Sequence, residues 1–341
     1  MRHAIGDDAL RLQRALGGAQ HRALVLCVVL GVAALASFGL ALAFGSFPVD
    51  FAQVLHNVFT SSSTTADEVI WKLRAPRALA AFACGGLLAL AGTLLQVLLR
   101  NALADPYVLG VSGGASLGAL LALSAGASAL GMNLAAFAGA MAAIVLVFGL
   151  TFRADDWNVY RLLLTGVVLS AGLSAVISLV LVLAPEAQVK GMLFWLMGDL
   201  SQSESPVAAW GVLFGLSAFA VAAAVRLDLL ALGELKARSL GVAVAPFKVA
   251  VFIAAALATV TAVILGGAIG FIGLMAPHAI RLAGVANHRA LVPLSMLLGG
   301  ALLTVADTAA RTVWAPQQLP VGIFTAVIGV PAMLILLGRQ R

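Results

Sequence analysis

Residues 78–99 read ALAAFACGGLLALAGTLLQVLL, closed on one side by Arg77 and on the other by Arg100. This run of 22 residues contains no charge. Wound as an α-helix it is about 33 Å long, against a bilayer hydrocarbon core of roughly 30 Å. Working outward, charge-free stretches recur at 23–49, 106–152, 162–185, 205–225, 249–280, 290–306 and 312–338. The stretch 106–152 is too long for one helix and is expected to break near Gly126–Asn133. The stretch 249–280 is expected to break at Gly266–Gly267, into one full span and the start of a shorter one. The pattern predicts an all-α, polytopic membrane protein, a single domain over 1–341 with about ten transmembrane helices.

Composition supports that reading. Of 341 residues, 62% are hydrophobic and 10% charged, where soluble proteins carry about 25% charged residues. A mean hydropathy of +1.08 cannot be hidden in a soluble core of this size. The 35 glycines are scattered through the apolar runs, where membrane helices tolerate them. The net charge of +6 does not indicate nucleic acid, because the basic residues sit singly at the ends of apolar runs. Cys27 and Cys84 lie inside apolar runs, which argues against a disulfide framework. Residues 1–23 are polar and carry Arg2, Arg11, Arg14 and Arg22; the apolar run 24–44 exceeds a signal core of about 7–15 residues, so it is expected to be an uncleaved first span.

Orientation follows from Lys and Arg in the loops. With the N-terminus inside, fifteen of the twenty fall on the inner side and five on the outer: Lys72, Arg74, Arg77, Lys190 and Arg311. Both termini are therefore expected in the cytoplasm. In the outer loop 48–60, Phe51, Val54, Leu55, Val58 and Phe59 share one helical face, and the polar run Ser61–Asp67 after it reads as a loop. The outer segment 186–204 carries Trp195, an interfacial residue type. The inner loop 226–248 is long enough for two short helices parallel to the membrane.

What is missing narrows the function. All 14 carboxylates lie outside the apolar spans or at their edges, whereas ion-coupled transporters place ionisable groups at membrane depth. No constellation for an intramembrane hydrolase is present. His278 stands alone near the end of its run, which fits a helix-end residue better than a metal ligand. No metal or cofactor is expected. A Walker A loop needs Lys followed by Ser or Thr; the four lysines are followed by Leu73, Gly191, Ala237 and Val249. Any ATPase must be another chain, with the inner loop as its natural contact. Gly110, Gly114 and Gly118 repeat every four residues, for helix packing or for a smooth path.

More specific strings lie along the chain. Arg74-Ala-Pro-Arg77 opens the second span, Gly92-Thr-Leu-Leu-Gln96 lies within it, and Arg100-Asn-Ala-Leu-Ala-Asp-Pro106 closes it. Leu109-Gly-Val-Ser-Gly-Gly-Ala115 starts the third. Then follow Leu232-Gly-Glu-Leu-Lys-Ala-Arg-Ser-Leu-Gly241, Gly270-Phe-Ile-Gly-Leu-Met-Ala-Pro-His278 with Arg281, Asn287-His-Arg289, Ala306-Asp-Thr-Ala-Ala-Arg311 and Leu319-Pro-Val-Gly322. From about residue 24 to 338 the chain resembles the permease family of ABC importers for ferric siderophores, haem and vitamin B12.

The resemblance implies the type II ABC importer permease fold and a homodimer in the bacterial inner membrane. It also implies two copies of a cytoplasmic ABC ATPase and a periplasmic substrate-binding protein. It assigns Arg74, Arg77 and Arg311 to binding-protein docking. It gives the helices in 227–245 to ATPase coupling, with Glu234, Ala237, Arg238, Ser239 and Gly241 facing that partner. Asn101, Leu103, Val159 and Tyr160 fall on the cytoplasmic gate. Two positions depart from the family pattern: Ala102 replaces a proline, which would loosen the turn before the third span, and Ala75 replaces a leucine. The expected function is ATP-driven alternating access for an iron chelate, the commoner cargo of such permeases, with cobalamin as the alternative. An ion-coupled secondary transporter and a membrane enzyme are the rival classes.

Overall fold

A computed structural model describes residues 2–45, 65–151, 159–201 and 206–338. The described residues form helices and turns, with no strand among them. We number the main helices α1 (Arg2–Ala43), α2 (Ala75–Leu98), α3 (Val111–Ser124), α4 (Ala129–Thr151), α5 (Val159–Leu183), α6 (Glu186–Leu196), α7 (Val207–Ala222), α8 (Ala224–Ala231), α9 (Glu234–Ser239), α10 (Val244–Gly266), α11 (Ile272–Leu282), α12 (His288–Thr312) and α13 (Val321–Gly338). Among the described residues six helices are long and apolar enough to cross a membrane, and the pair α7–α8, bent by 63°, makes a seventh. The helices α3, α11 and α13 are shorter, and with them each of the ten predicted segments has its helix.

The run that opened the sequence reading is the axis of the bundle. In the span Val69–Leu98, 94% of the most apolar window is buried, against 6% for Arg161–Leu183 in α5. Glycine explains how α2 can be surrounded so closely. A Cβ on Gly92 would lie 1.7 Å from the carbonyl oxygen of Gly273 in α11, and one on Gly85 would lie 2.2 Å from that of Gly299 in α12. No lipid chain is less apolar than leucine, so helices associate here through such close packing. Hydrogen bonds add to it: the Cys84 thiol donates to the Ala262 carbonyl of α10 at 3.4 Å.

The predicted breaks fall at glycines in left-handed backbone. Gly126 (φ 69°) follows α3, and Gly267 (φ 71°) follows α10. At Gly267 the non-helical chain is fully engaged. Asp199 donates its backbone N–H to Gly266, while Val321 and Gly322 donate to Gly198 and Met197. Such pairing lets irregular backbone exist within a bundle of spans. It also draws Trp195, expected at the interface, into the core at 9% exposure.

Two expectations need adjustment, and a third is untested. The polar run predicted as a loop turns helical from Thr65 and passes through a π-helical turn, Val69–Arg74, into α2. The helix containing 290–306 continues to Thr312, so Arg311 belongs to its last turn. The amphipathic segment 48–60 lies outside the described residues.

Replacing Gly92 by leucine should abolish the folded peak in fluorescence-detected size-exclusion chromatography, because backbone opposes backbone and nothing can yield. Gly211→Ala, where a Cβ meets nothing within 4 Å, should leave the melting temperature unchanged.

Candidate functional site: a charge cluster at each end of the bundle

The three arginines assigned to docking are brought together at the end of the bundle predicted to be outside. Two of them, Arg77 and Arg311, share a carboxylate to which sequence reasoning gave no role, and Arg74 meets the end of α1. Asp307, 1% exposed in α12, accepts from Arg77 Nε and Nη2 at 2.9–3.1 Å. Arg311, one turn further along α12, lies 3.1 Å from the same carboxylate through Nε. Arg74 donates from Nη1 to the Leu42 and Ala43 carbonyls at 2.7 and 2.9 Å, and Arg311 Nη2 reaches the Ala41 carbonyl at 3.5 Å. These are the last carbonyls of α1, which has no basic residue of its own in its final turn. Cations there satisfy orphan acceptors and oppose the negative end of the helix dipole.

The cluster therefore ties α1, α2 and α12 together, and its arginines turn inward. Arg74 and Arg311 are 4% and 5% exposed, and the Arg77 side chain 12%. Arg77 alone keeps an outward contact among these bonds, with Gln318 Oε1 at 2.8 Å. The spacing of Asp307 and Arg311, four apart on a helix, was the signal that could have revealed the pair.

At the opposite end, the inner loop folds as the two short helices expected, α8 and α9. Gly233 (φ 113°) turns the chain between them and Gly241 (φ 86°) turns it out of α9. The assigned coupling residues divide. Arg238, Ser239 and Gly241 are exposed and Glu234 partly so. Ala237 is completely buried, which corrects its placement on the outer face: a six-residue amphipathic helix must turn one side to the bundle, and Ala237 is on that side. The exposed face instead shows Leu235 at 84% and Leu240 at 61%, apolar residues the motif reading passed over.

Of the assigned gate, Asn101 and Leu103 are exposed in the turn between α2 and α3. Asn101 Oδ1 accepts from the Leu103 N–H at 2.9 Å, and its carbonyl from Ala104. These two bonds close the turn around Ala102. Val159 and Tyr160 open α5, and their side chains lie outside the described residues. Above this turn, Gln96 joins α2 to α11, accepting from Arg281 and donating to the Leu274 carbonyl.

A cavity of about 430 Å³ opens beside α5, lined by Asp105, Tyr107, Val167, Ser170, Phe271 and Leu274, with Gly270. Asp105 accepts from the Tyr107 N–H at 2.8 Å and Tyr107 Oη from Ile269 N–H at 3.0 Å, so the polar groups are largely used in holding the wall. Among the described residues no group of three or more His, Cys, Asp or Glu stands together.

A bundle of apolar spans with charged clusters at both ends is the form of a polytopic membrane protein. Comparison with known proteins gives the family. Residues 15–339 match the model of the FecCD transport family. The cobalamin import system permease protein BtuC of Halobacterium salinarum is 40% identical over 280 residues, covering 81% of this chain and 75% of that protein. The hemin transport system permease protein HmuU of Yersinia pestis is 36% identical over 291 residues, 82% and 87% of the two chains. Among solved structures, a metal-chelate type ABC transporter in an inward-facing conformation superposes with a TM-score of 0.81 at 29% identity, covering 92% of this chain and 99% of that one. The chain belongs to the FecCD transport family, and is a permease subunit of the ABC importer class.

Asp307→Ala would leave Arg77 and Arg311 buried without their shared counter-ion. Removing one partner of a buried pair costs about 3 kcal/mol, so a clear fall in melting temperature is expected. Gln318→Ala, which deletes only the outward contact of Arg77, should cost less than about 1 kcal/mol.

Proposed function

We propose that this chain is the membrane-spanning subunit of a binding-protein-dependent importer for an iron chelate, a ferric siderophore or haem. It would work in the bacterial inner membrane with both termini in the cytoplasm. Two copies pair around a path, two ABC ATPases dock on α8–α9, and a periplasmic binding protein delivers the cargo to the opposite end. ATP binding and hydrolysis in the partner chains then drive alternating access. This chain supplies the path and its gates, including Asn101, Leu103, Val159 and Tyr160, and performs no covalent chemistry.

One observation carries the reading: the two ends of the bundle differ in kind. At one end Arg77 and Arg311 share the single carboxylate of Asp307, beside Arg74, which bonds the last carbonyls of α1. A guanidinium-rich end favours an acidic docking face on the binding protein, setting its orientation and association rate more than its affinity. Because Arg74 and Arg311 are turned inward, Arg77 is the arginine best placed to meet that partner directly. At the other end the exposed Leu235, Leu240, Arg238 and Ser239 offer the mixed apolar and polar face of a protein contact. Between them α5, scarcely buried in one subunit, suits a face that meets a second copy.

The similarity to hemin and metal-chelate transporters supports an iron cargo. The 40% identity to a cobalamin import permease favours the second reading, vitamin B12.

The deciding experiment is to co-purify the binding protein and ATPase with this permease and titrate the binding protein with haem, ferric siderophores and cobalamin. Tight binding of one iron chelate, with its uptake lost on Arg77→Glu, is the expected result. Cobalamin binding would move the cargo to the second reading. Retention of neither partner would overturn the importer reading.

A further inference from the structure

Two polar links, each with one buried partner, fasten the helix pair α8–α9 to the transmembrane bundle, and they end on two spans packed against α2. The first joins α9 to α10. Lys248 lies five residues into α10, and its side chain is 2% exposed. Its ammonium group meets Glu234 Oε1 of α9 at 2.7 Å. A buried ammonium group needs partners, and this contact ties α9 to α10. The second joins α8 to α12. Asp228 Oδ1 accepts from the backbone N–H of His288 at 3.0 Å and from its ring Nδ1 at 2.5 Å. The carboxylate thus caps the first turn of α12 from a different helix, at the positive end of its dipole. Asn287, the local cap, is occupied with Ala290 N–H, so the two caps serve different donors.

Each link has an apolar seat beneath it. Leu227 and Leu230 of α8 and Ala237 of α9 are at most 1% exposed. The bends at Ala223, Gly233 and Gly241 isolate the pair from the straight run of the chain on either side. Any displacement of α8–α9 is therefore delivered through side chains to α10 and α12 as well as along the backbone.

We infer that Glu234–Lys248 and Asp228–His288 are positioning pairs that transmit movement of the ATPase-facing helices to α10 and α12, so that Glu234 serves an internal link and not a contact with the ATPase. The inference rests on the importer reading, and the two fail differently.

The test uses the complete transporter in liposomes, with Glu234→Gln, Lys248→Met and the double variant, and the same cycle for Asp228→Asn and His288→Gln. Three quantities are read: ATPase retained on the permease, ATP hydrolysed and substrate taken up. Each single variant is expected to lower uptake per ATP about tenfold, and the double to be no worse than the poorer single, as for residues acting as one unit. ATPase retention should be unchanged. The Glu234→Gln/Lys248→Met variant leaves no buried charge, so it folds even where a single variant fails, and it too must uncouple. Losses that multiply, a double variant with full coupling, or loss of ATPase on Glu234→Gln but not on Lys248→Met would each overturn the inference. If the unmodified chain retains no ATPase, the importer reading itself has failed.

Discussion

Everything in this molecule is arranged around the contact of α2 with its neighbours through bare backbone. Where Gly85 faces Gly299 and Gly92 faces Gly273, there is no space for even a methyl group. In lipid the removal of apolar surface from water gives neighbouring spans little reason to associate, so close approach and the dispersion it brings must supply it. The result is a central rod sheathed on nearly every side, with α10, α11 and α12 held to it at fixed heights.

That fixed register gives the polar clusters their positions. Asp307 can collect Arg77 only because α12 and α2 are locked side by side along their length. The cluster in turn closes the exposed end of α1 through Arg74 and Arg311. At the other end Gln96 spans from α2 to α11, and the pairs on Lys248 and His288 hold the short helices in place. Among the described residues these charged links lie toward the ends of spans, and there they bind helix to helix. Polar groups deeper in the spans, such as Thr259 and Thr304, bond to carbonyls of their own helix instead.

The architecture was legible because its signal is coarse. Eight apolar stretches and the inner loop are matters of length and charge, and glycine marks the breaks at Gly126 and Gly267 that make ten segments of them. What could not be read was the direction in which a side chain points. Arg74 and Arg311 looked like exposed outer positives, yet they cap a helix distant in sequence, and only the packing of α1 against α12 brings that helix near. Ala237 lay within a motif given to a partner, but a helix of a single turn and a half cannot show every residue outward. Trp195 looked interfacial because the backbone knot at Gly198 and Gly267, which buries it, has no local signature. Asp307 stood one residue beyond a charge-free stretch and was treated as its edge, when the helix in fact continues for five residues more.

The helix α12 carries an attachment toward either extremity: its first residue is held by Asp228, and Asp307, five residues before its end, holds Arg77. Its 25 residues make a rod about 37 Å long. Helices this long bend gently and rarely kink without a cause such as proline, and the proline of α12, Pro293, lies in its second turn. Seated against α2 at Gly299 and tied to it again through Asp307, the rod is one body with the central span. A displacement imposed on its first residue through Asp228 would therefore reach the arginines at the other face, so the two faces of the membrane are one stiff body apart.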